Sequence, residues 1–423
     1  MSRSGLHNFG WNCYINSALQ CLASSDIINN IIKKYEDEDK EIQQILEKYN
    51  FGQIPFNNSS ITSHAKQIIQ SQPANIATDN TIKILSKIAD KGIKIFIYFE
   101  FCDIIKRLRK LKQMNIDPRR FIRILEITSS PEFKHLFTGQ QNDPHEFLMY
   151  LFDTLHNSKC EPANVKIKNF DDTLSNNNKN LQRSISVTSD KTSEDHHNIL
   201  RNQVYTDIKR RYEKEYSHIE YNICFYNINS IICSIPSCNH RVFNVTHNNI
   251  LYLPIPPISP CSIYDCMNEL FKREYMTDYK CENCLNTNGI FIDKSIVMHP
   301  KMIVIELTRY SSSLFHGKGS VSLNTGATLL LKKNDTSVDY PDILDITPYI
   351  YGNKEGIMTK ATYKLIGVIC HVGILHGGHY YAYCKNIDDD NWTLCNDTHI
   401  SQVQLNEVLN SNNAYMLFYS CLD

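Results

Sequence analysis

The apolar pattern of this chain changes period once, and that change restricts the folds open to it. Through the first ~155 residues apolar side chains recur at three- and four-residue intervals, the spacing of helices with one buried face. Ile27, Ile28, Ile31 and Ile32 show it, as do the stretches 82–111 and 121–125. From Tyr221 onward the pattern becomes extended and β-branched, with Ile223, Phe225, Ile228 and Ile231, then 242–245 and 250–256. Further runs at 302–307, 365–369 and 414–419 continue it, interrupted by a helical segment at 262–273. Alternation of this kind predicts strands. Helices first and strands afterwards define an α+β fold, and no internal repeat is present.

Between the two halves, residues 158–200 are polar and poor in aromatics, which predicts a disordered surface insertion. A charged helix is expected over 201–217 and a loop insertion over 311–339. The organisation expected is thus a helical lobe at 1–157, a stranded unit at 201–295 and a second stranded unit at 296–423. The formal net charge of −1 gives no electrostatic case for nucleic acid or an anionic membrane. No run of about 18 apolar residues occurs and no signal-peptide core is seen, so an intracellular chain, cytoplasmic or nuclear and monomeric, is expected. Fifteen cysteines are scattered along the chain, an odd number. Without a secretion signal they point to reduced thiols, a metal site and one reactive cysteine.

Cys13 is the candidate for that reactivity. Gly5, Asn8, Gly10 and Asn12 read as a tight turn, and Tyr14, Ala18 and Leu22 with Ile15 and Leu19 begin a helix. Cys13 therefore stands at a helix N-terminus, where free N–H groups favour a thiolate. Asn8 can reach back toward an oxyanion beside it. Taken alone, the stretch fits a buried structural thiol better, so a base elsewhere must decide. Three histidines compete for that part: His371, His376 and His379. His379 opens a strand after Gly377 and Gly378, and Asn396 and Asp397 follow at hairpin distance. A thiol peptidase needs such a set: a cysteine, a histidine that takes its proton, and a third group on the other ring nitrogen. Spacing alone does not choose among the three histidines.

A further constellation is Cys233-x4-Cys238 with Cys281-x2-Cys284, two close pairs each following a strand. Four such thiolates suit a tetrahedral structural Zn2+ site. His240 is a substitute for Cys238, and four unmetallated thiols are the alternative. Cys261 and Cys266 read as core residues.

These segments together resemble the ubiquitin-specific protease family of deubiquitinating cysteine peptidases. Residues 5–20 are similar to its GLxNxGNTCYxNSxLQ motif, and Gln141–Leu148 to QQDAxEFL. Residues 363–383 with 392–397 resemble its His motif, and 414–419 its terminal aYxLFY strand. Thr308-Arg309-Tyr310 stands where the family has K/R-R-F, and 340–345 resembles fP-x-x-L-D/N-L. The resemblance implies a papain-like body with a helical thumb, a β palm and zinc-tipped β fingers that hold ubiquitin. It implies Cys13 as nucleophile, His379 as general base and Asn396 as the third triad residue. Asp397 is then an adjacent supporting acid, and Asn8 stabilises the oxyanion. Ubiquitin and ubiquitinated proteins are the implied partners, and no redox or nucleotide cofactor is implied. Trp11-Asn12 replace the usual Asn-Thr, which sets a bulky ring beside the expected substrate channel. A catalytically silent ubiquitin-binding scaffold and a protease for a ubiquitin-like modifier are the alternative readings. With the Cys motif beginning at residue 5, no targeting domain is expected ahead of it.

Overall fold

The computed structural model describes the chain except residues 1–2, 72–79, 111–113, 166–183, 186–203, 239, 312–331, 353–359, 375–376 and 423. The first half is helical: α1 (Cys13–Ala23), α2 (Asp26–Lys34), α3 (Glu36–Lys48), α4 (Asn58–Ser71), α5 (Asn80–Lys91), α6 (Lys94–Arg109), α7 (Arg119–Thr128) and α8 (Pro144–Lys159). Local chemistry sets several of these boundaries. Ser25 caps α2 by accepting from Ile28 N, with Asp26 in the first turn and Lys33 and Lys34 in the last, matching the helix dipole. Asp143 caps α8 by accepting from His145 N, and Pro144 occupies its first turn. The single periodic run at 82–111 is two helices, because Gly92 takes φ +55 between α5 and α6.

Two expected strand positions are helical. Tyr221 and Ile223 lie in a short helix, His218–Ile223, because Ser217 accepts from Glu220 N and starts a turn there. The charged helix is present over 204–212. Of the expected insertion, residues 158–165 are ordered by backbone bonds such as Glu161 N to Tyr216 O at 2.9 Å. Ser184–Ile185 pairs with Val242 and Arg241, and the remainder lies outside the described residues. At the ends of the expected 311–339 loop the two-residue strands Tyr310–Ser311 and Lys332–Lys333 pair with each other.

Strands then build two main sheets, beside two-stranded pairs. The first contains β1 (Phe225–Cys233), β2 (Arg241–Asn248), β4 (Glu274–Met276) and β5 (Ile290–Met298). Its order is Ser184–Ile185, β2, β1, β5, β4. The second contains β3 (Ile250–Pro254), β6 (Met302–Thr308), β7 (Ile343–Asp345), β8 (Thr362–Ile374), β9 (Gly377–Lys385), β10 (Trp392–Asn396), β11 (His399–Val403) and β12 (Ala414–Cys421). Its order is β11-β10-β9-β8-β12-β6-β3, with β7 also on β8. Residues 414–419 of β12 are all buried, because apolar layers cover both faces of the sheet.

One core joins α1, α6, α7 and α8 to one face of this large sheet, and a second core fills its other face. The helices α3, α4 and α5 enclose a core of their own. Every residue of α1 is buried. Its seat on the sheet depends on Gly367, since a Cβ there would lie 2.9 Å from Cys21 Sγ. Arg309, buried at the end of β6, bonds Ala414 O, Asn334 O and Thr336 O and ties β6 to β12. Among the described residues no helix is long and apolar enough to cross a membrane.

Candidate active site

The large sheet carries a histidine and an asparagine to the start of α1. On β9, His379 pairs in register with Val372 of β8, and Asn396 ends β10. Asn396 Oδ1 lies 2.6 Å from His379 Nε2. The opposite ring nitrogen is thereby left for Cys13. The interaction with Cys13 is the main reason the His379 pKa is raised to about 9; burial opposes it, and Asn396 and the charges of Cys13 and Asp397 add to it. Cys13 itself has no exposed surface, whereas the His379 side chain is 39% exposed.

Asp397 follows Asn396 in the β10–β11 turn, with φ +52. Its carboxylate is shared by two asparagines of the Cys13 region: Asn8 Nδ2 donates to Oδ2 at 2.8 Å, and Asn16 Nδ2 donates to Oδ1 at 2.8 Å. Oδ2 lies 3.8 Å from His379 Nε2, beyond hydrogen-bond range. Asn8 Oδ1 accepts from Gly10 N at 2.9 Å. An amide nitrogen has two hydrogens, so Asn8 keeps one for a further acceptor.

Asn12 and Asn16 were not singled out as site residues from the sequence. Asn12 Nδ2 donates to His7 O and to Asn16 Oδ1, both at 3.0 Å, and Asn12 Oδ1 accepts from Phe9 N at 2.7 Å. Their four-residue spacing places them one helical turn apart, and that is the signal a sequence reader has for the pair. Gln141 is a further addition: its Oε1 accepts from Gly378 N at 3.2 Å, so a side chain of the helical half spans to the strand carrying His379. Trp11 is half-buried, with its ring 6.4 Å from that of Tyr14 and its Nε1 facing Gly139. The packing of this ring is therefore shared between α1 and the segment that leads to Gln141.

The other two candidate bases separate. His371 is buried, and burial pushes its pKa down to about 4; its Nδ1 is engaged with the Tyr310 hydroxyl. His376 lies outside the described residues.

At the far end of the first sheet, the sulfurs of Cys233, Cys238, Cys281 and Cys284 all lie within 4.8 Å of one another. Cys233 is 3.7 Å from Cys284, and Cys238 is 3.8 Å from Cys281. Tetrahedral bonds of the zinc–thiolate length put sulfurs about 3.8 Å apart, so these residues fit a metal ion. His240 is not part of the cluster; its carbonyl accepts from Cys233 N at 2.9 Å. Cys261 and Cys266 are buried together, 3.8 Å apart, in the core beside the large sheet.

Comparison with known proteins bears on the family and the fold. The family model described as ubiquitin carboxyl-terminal hydrolase matches residues 4–419. Ubiquitin carboxyl-terminal hydrolase 4 of Vanderwaltozyma polyspora is 24% identical over 436 residues, which cover 98% of this chain and 40% of that protein. A probable ubiquitin carboxyl-terminal hydrolase of Acanthamoeba polyphaga mimivirus is also 24% identical, over 98% of this chain and 89% of its own length. The chain thus spans about two fifths of the yeast relative and most of the viral one. Among solved structures, the SAGA Ubp8/Sgf11/Sus1/Sgf73 DUB module bound to ubiquitin aldehyde matches with a TM-score of 0.56 at 20% identity. That match covers 99% of this chain and 70% of the other, and it shows a shared mixed helix–sheet fold. With the family model running through both the helical half that carries Cys13 and the sheet that carries His379, this chain belongs to the ubiquitin carboxyl-terminal hydrolase family.

Proposed function

We propose that this protein is a thiol-dependent deubiquitinase, hydrolysing the isopeptide or peptide bond after the C-terminal glycine of ubiquitin through a thioester on Cys13. The observation that carries the reading is the meeting of Cys13, from the helical half, with the His379–Asn396 pair of the large sheet. Asn396 holds Nε2–H and so fixes the tautomer and the ring plane. With a pKa of about 9, His379 is protonated at neutral pH, the state that pairs with a thiolate.

The steps follow from these positions. The Cys13 thiolate attacks the carbonyl carbon of the last glycine. Negative charge gathers on the carbonyl oxygen, within reach of the Cys13 N–H, unpaired at the start of α1, and of the free Asn8 amide hydrogen. His379 gives its proton to the leaving amine as the C–N bond breaks, and the thioester remains. His379 then takes a proton from water, the hydroxide equivalent attacks the thioester, and Cys13 leaves as thiolate. Asp397 acts through Asn8 and Asn16, holding the oxyanion donor in place.

A thumb at 1–157, fingers at 201–295 and a palm at 296–423 follow the division into helices, a smaller sheet and a larger one, with β3 joining the palm sheet and one core shared by thumb and palm. Ubiquitin would rest on the fingers, and its thin Gly-Gly tail would thread between thumb and palm toward Cys13. The four cysteines would hold Zn2+, which when bound supplies a structural clamp between the β1–β2 connection and residues 281–284. Fifteen cysteines without a disulfide suit a reducing, intracellular compartment.

The test is reaction of the purified protein with ubiquitin bearing a thiol-reactive C-terminal group. A covalent adduct on the wild type and none on Cys13→Ala is the expected outcome. Ubiquitin binding without an adduct would replace this reading with a silent scaffold. Neither binding nor adduct would turn the search to other modifiers.

A further inference from the structure

We propose that His371, anchored by the Tyr310 hydroxyl, is a positioning residue that holds Gly378 and thereby aims His379 at Cys13. The inference rests on the reading of His379 as the base acting on Cys13. His371 lies on β8, opposite Tyr380 of β9 and one register step from the His379 pair. A Cβ on Gly378 would lie 2.1 Å from His371 Nε2 and 2.7 Å from its Cε1. The residue before His379 therefore rests on the edge of the His371 ring, and only glycine permits that approach. On its other side, the Gly378 N–H is held by Gln141 Oε1 at 3.2 Å. Gly378 is clamped between an imidazole edge and an amide, and the placement of His379 follows from it.

The ring that forms this floor is itself fixed. The Tyr310 hydroxyl lies 2.5 Å from His371 Nδ1. The His371 and Tyr380 rings are 4.4 Å apart between centroids. Tyr310 and Tyr380 both pack on Tyr415, at 5.9 and 6.0 Å, and the Tyr415 hydroxyl donates to Asp143 Oδ2 at 2.6 Å. An aromatic column thus runs from the cap of α8 to the strand carrying His379. Burial keeps His371 neutral at physiological pH, which leaves Nδ1 free to accept the hydroxyl hydrogen. Lys333 Nζ, donating to His371 O and Gly373 O, secures the same strand from outside. In this chain the hydroxyl comes from a tyrosine standing where the related motif carries phenylalanine, so the anchor is a feature of this sequence.

Two substitutions separate the parts. Tyr310→Phe removes one oxygen and leaves the ring beneath Gly378. His371→Asn keeps an acceptor near the Nδ1 position and removes the ring edge. The measurements are kcat and KM with a ubiquitin C-terminal fluorophore, the thermal midpoint, and the His379 titration by NMR without substrate. Small misplacements of a catalytic group cost up to about a hundredfold in rate. On that scale we expect kcat to fall about fivefold for Tyr310→Phe and about fiftyfold for His371→Asn, with KM within about twofold. The His379 titration midpoint should fall below that of the wild type in both variants. Unchanged kcat and unchanged titration would overturn the proposal. So would a kcat loss matched by the loss of folded protein at the assay temperature. Should the wild type not cleave the ubiquitin substrate, the deubiquitinase reading fails, and the titration alone decides the positioning role: a shift upholds it and no shift overturns it.

Discussion

Asn8 is divided between two tasks. One amide hydrogen is committed to Asp397 Oδ2, and in the proposed mechanism the other serves the carbonyl oxygen under attack. Removing one such donor costs about 100- to 1,000-fold in kcat. Asn8→Ala should therefore lower kcat by about that factor with little change in KM, as read with a ubiquitin fluorophore substrate. An equal loss in Asp397→Asn, which weakens the grip on Asn8 without touching substrate, is not expected. His379 supplies a second expectation. Its pKa is raised from 6.5 to about 9, first by the interaction with Cys13. The stabilisation tied to this shift is fully present below pH 6.5 and is lost as pH rises through about 9. Cys13→Ala removes the leading cause, so the variant should lose less stability than the wild type across that window. Chemical denaturation at several pH values reads the difference, and parallel curves would remove the Cys13–His379 interaction as its source.

Among the elements, α8 is tied to the large sheet at its first turn. Its cap, Asp143, accepts from His145 N and also receives the Tyr415 hydroxyl from β12. One side chain thus starts a helix of the N-terminal half and anchors a central strand of the large sheet. Loss of a helix cap costs about 1 kcal/mol, with an upper range near 2, and the hydrogen bond to tyrosine adds about 1 kcal/mol. Asp143→Ala should lower the unfolding free energy by about 2–3 kcal/mol, whereas Tyr415→Phe should cost about 1 kcal/mol. Urea unfolding of the two variants and their double mutant tests this, because shared loss makes the double mutant less than additive.

For the whole molecule, the four-cysteine cluster and the Cys13 site sit on different sheets with different cores. The metal prediction can therefore be separated from catalysis. One equivalent of zinc per chain is expected by elemental analysis of the purified protein. Cys281→Ser or strong chelation should lower the thermal midpoint and raise KM for ubiquitin. The Cys13–His379 pair should still react with a small thiol reagent, since its supporting core does not include the cluster. Full-length protein without bound zinc but with an unchanged thermal midpoint would leave the cluster as four free thiols.

Much of this was legible in one dimension. The change of hydrophobic period separates helices from strands, and the cysteine pairs mark the four-thiol cluster before any coordinates. Those features depend on residues close together in the chain, where backbone geometry links spacing to position. The exceptions at Tyr221 and Ile223 arose because a local cap outweighed an apolar alternation of the same length. The choice among histidines, the pairing of Asp397 with Asn8 and Asn16, and the bridge from Gln141 to Gly378 belong to the tertiary structure. Each joins residues from opposite ends of the chain through the register of β8, β9 and β10 and the seat of α1 on that sheet. A shift of one residue in a strand turns its side chains to the other face. Which imidazole meets Cys13 is thus decided by strand pairing and helix packing, while the sequence by itself determines that a thiol, its candidate bases and the elements that carry them are present.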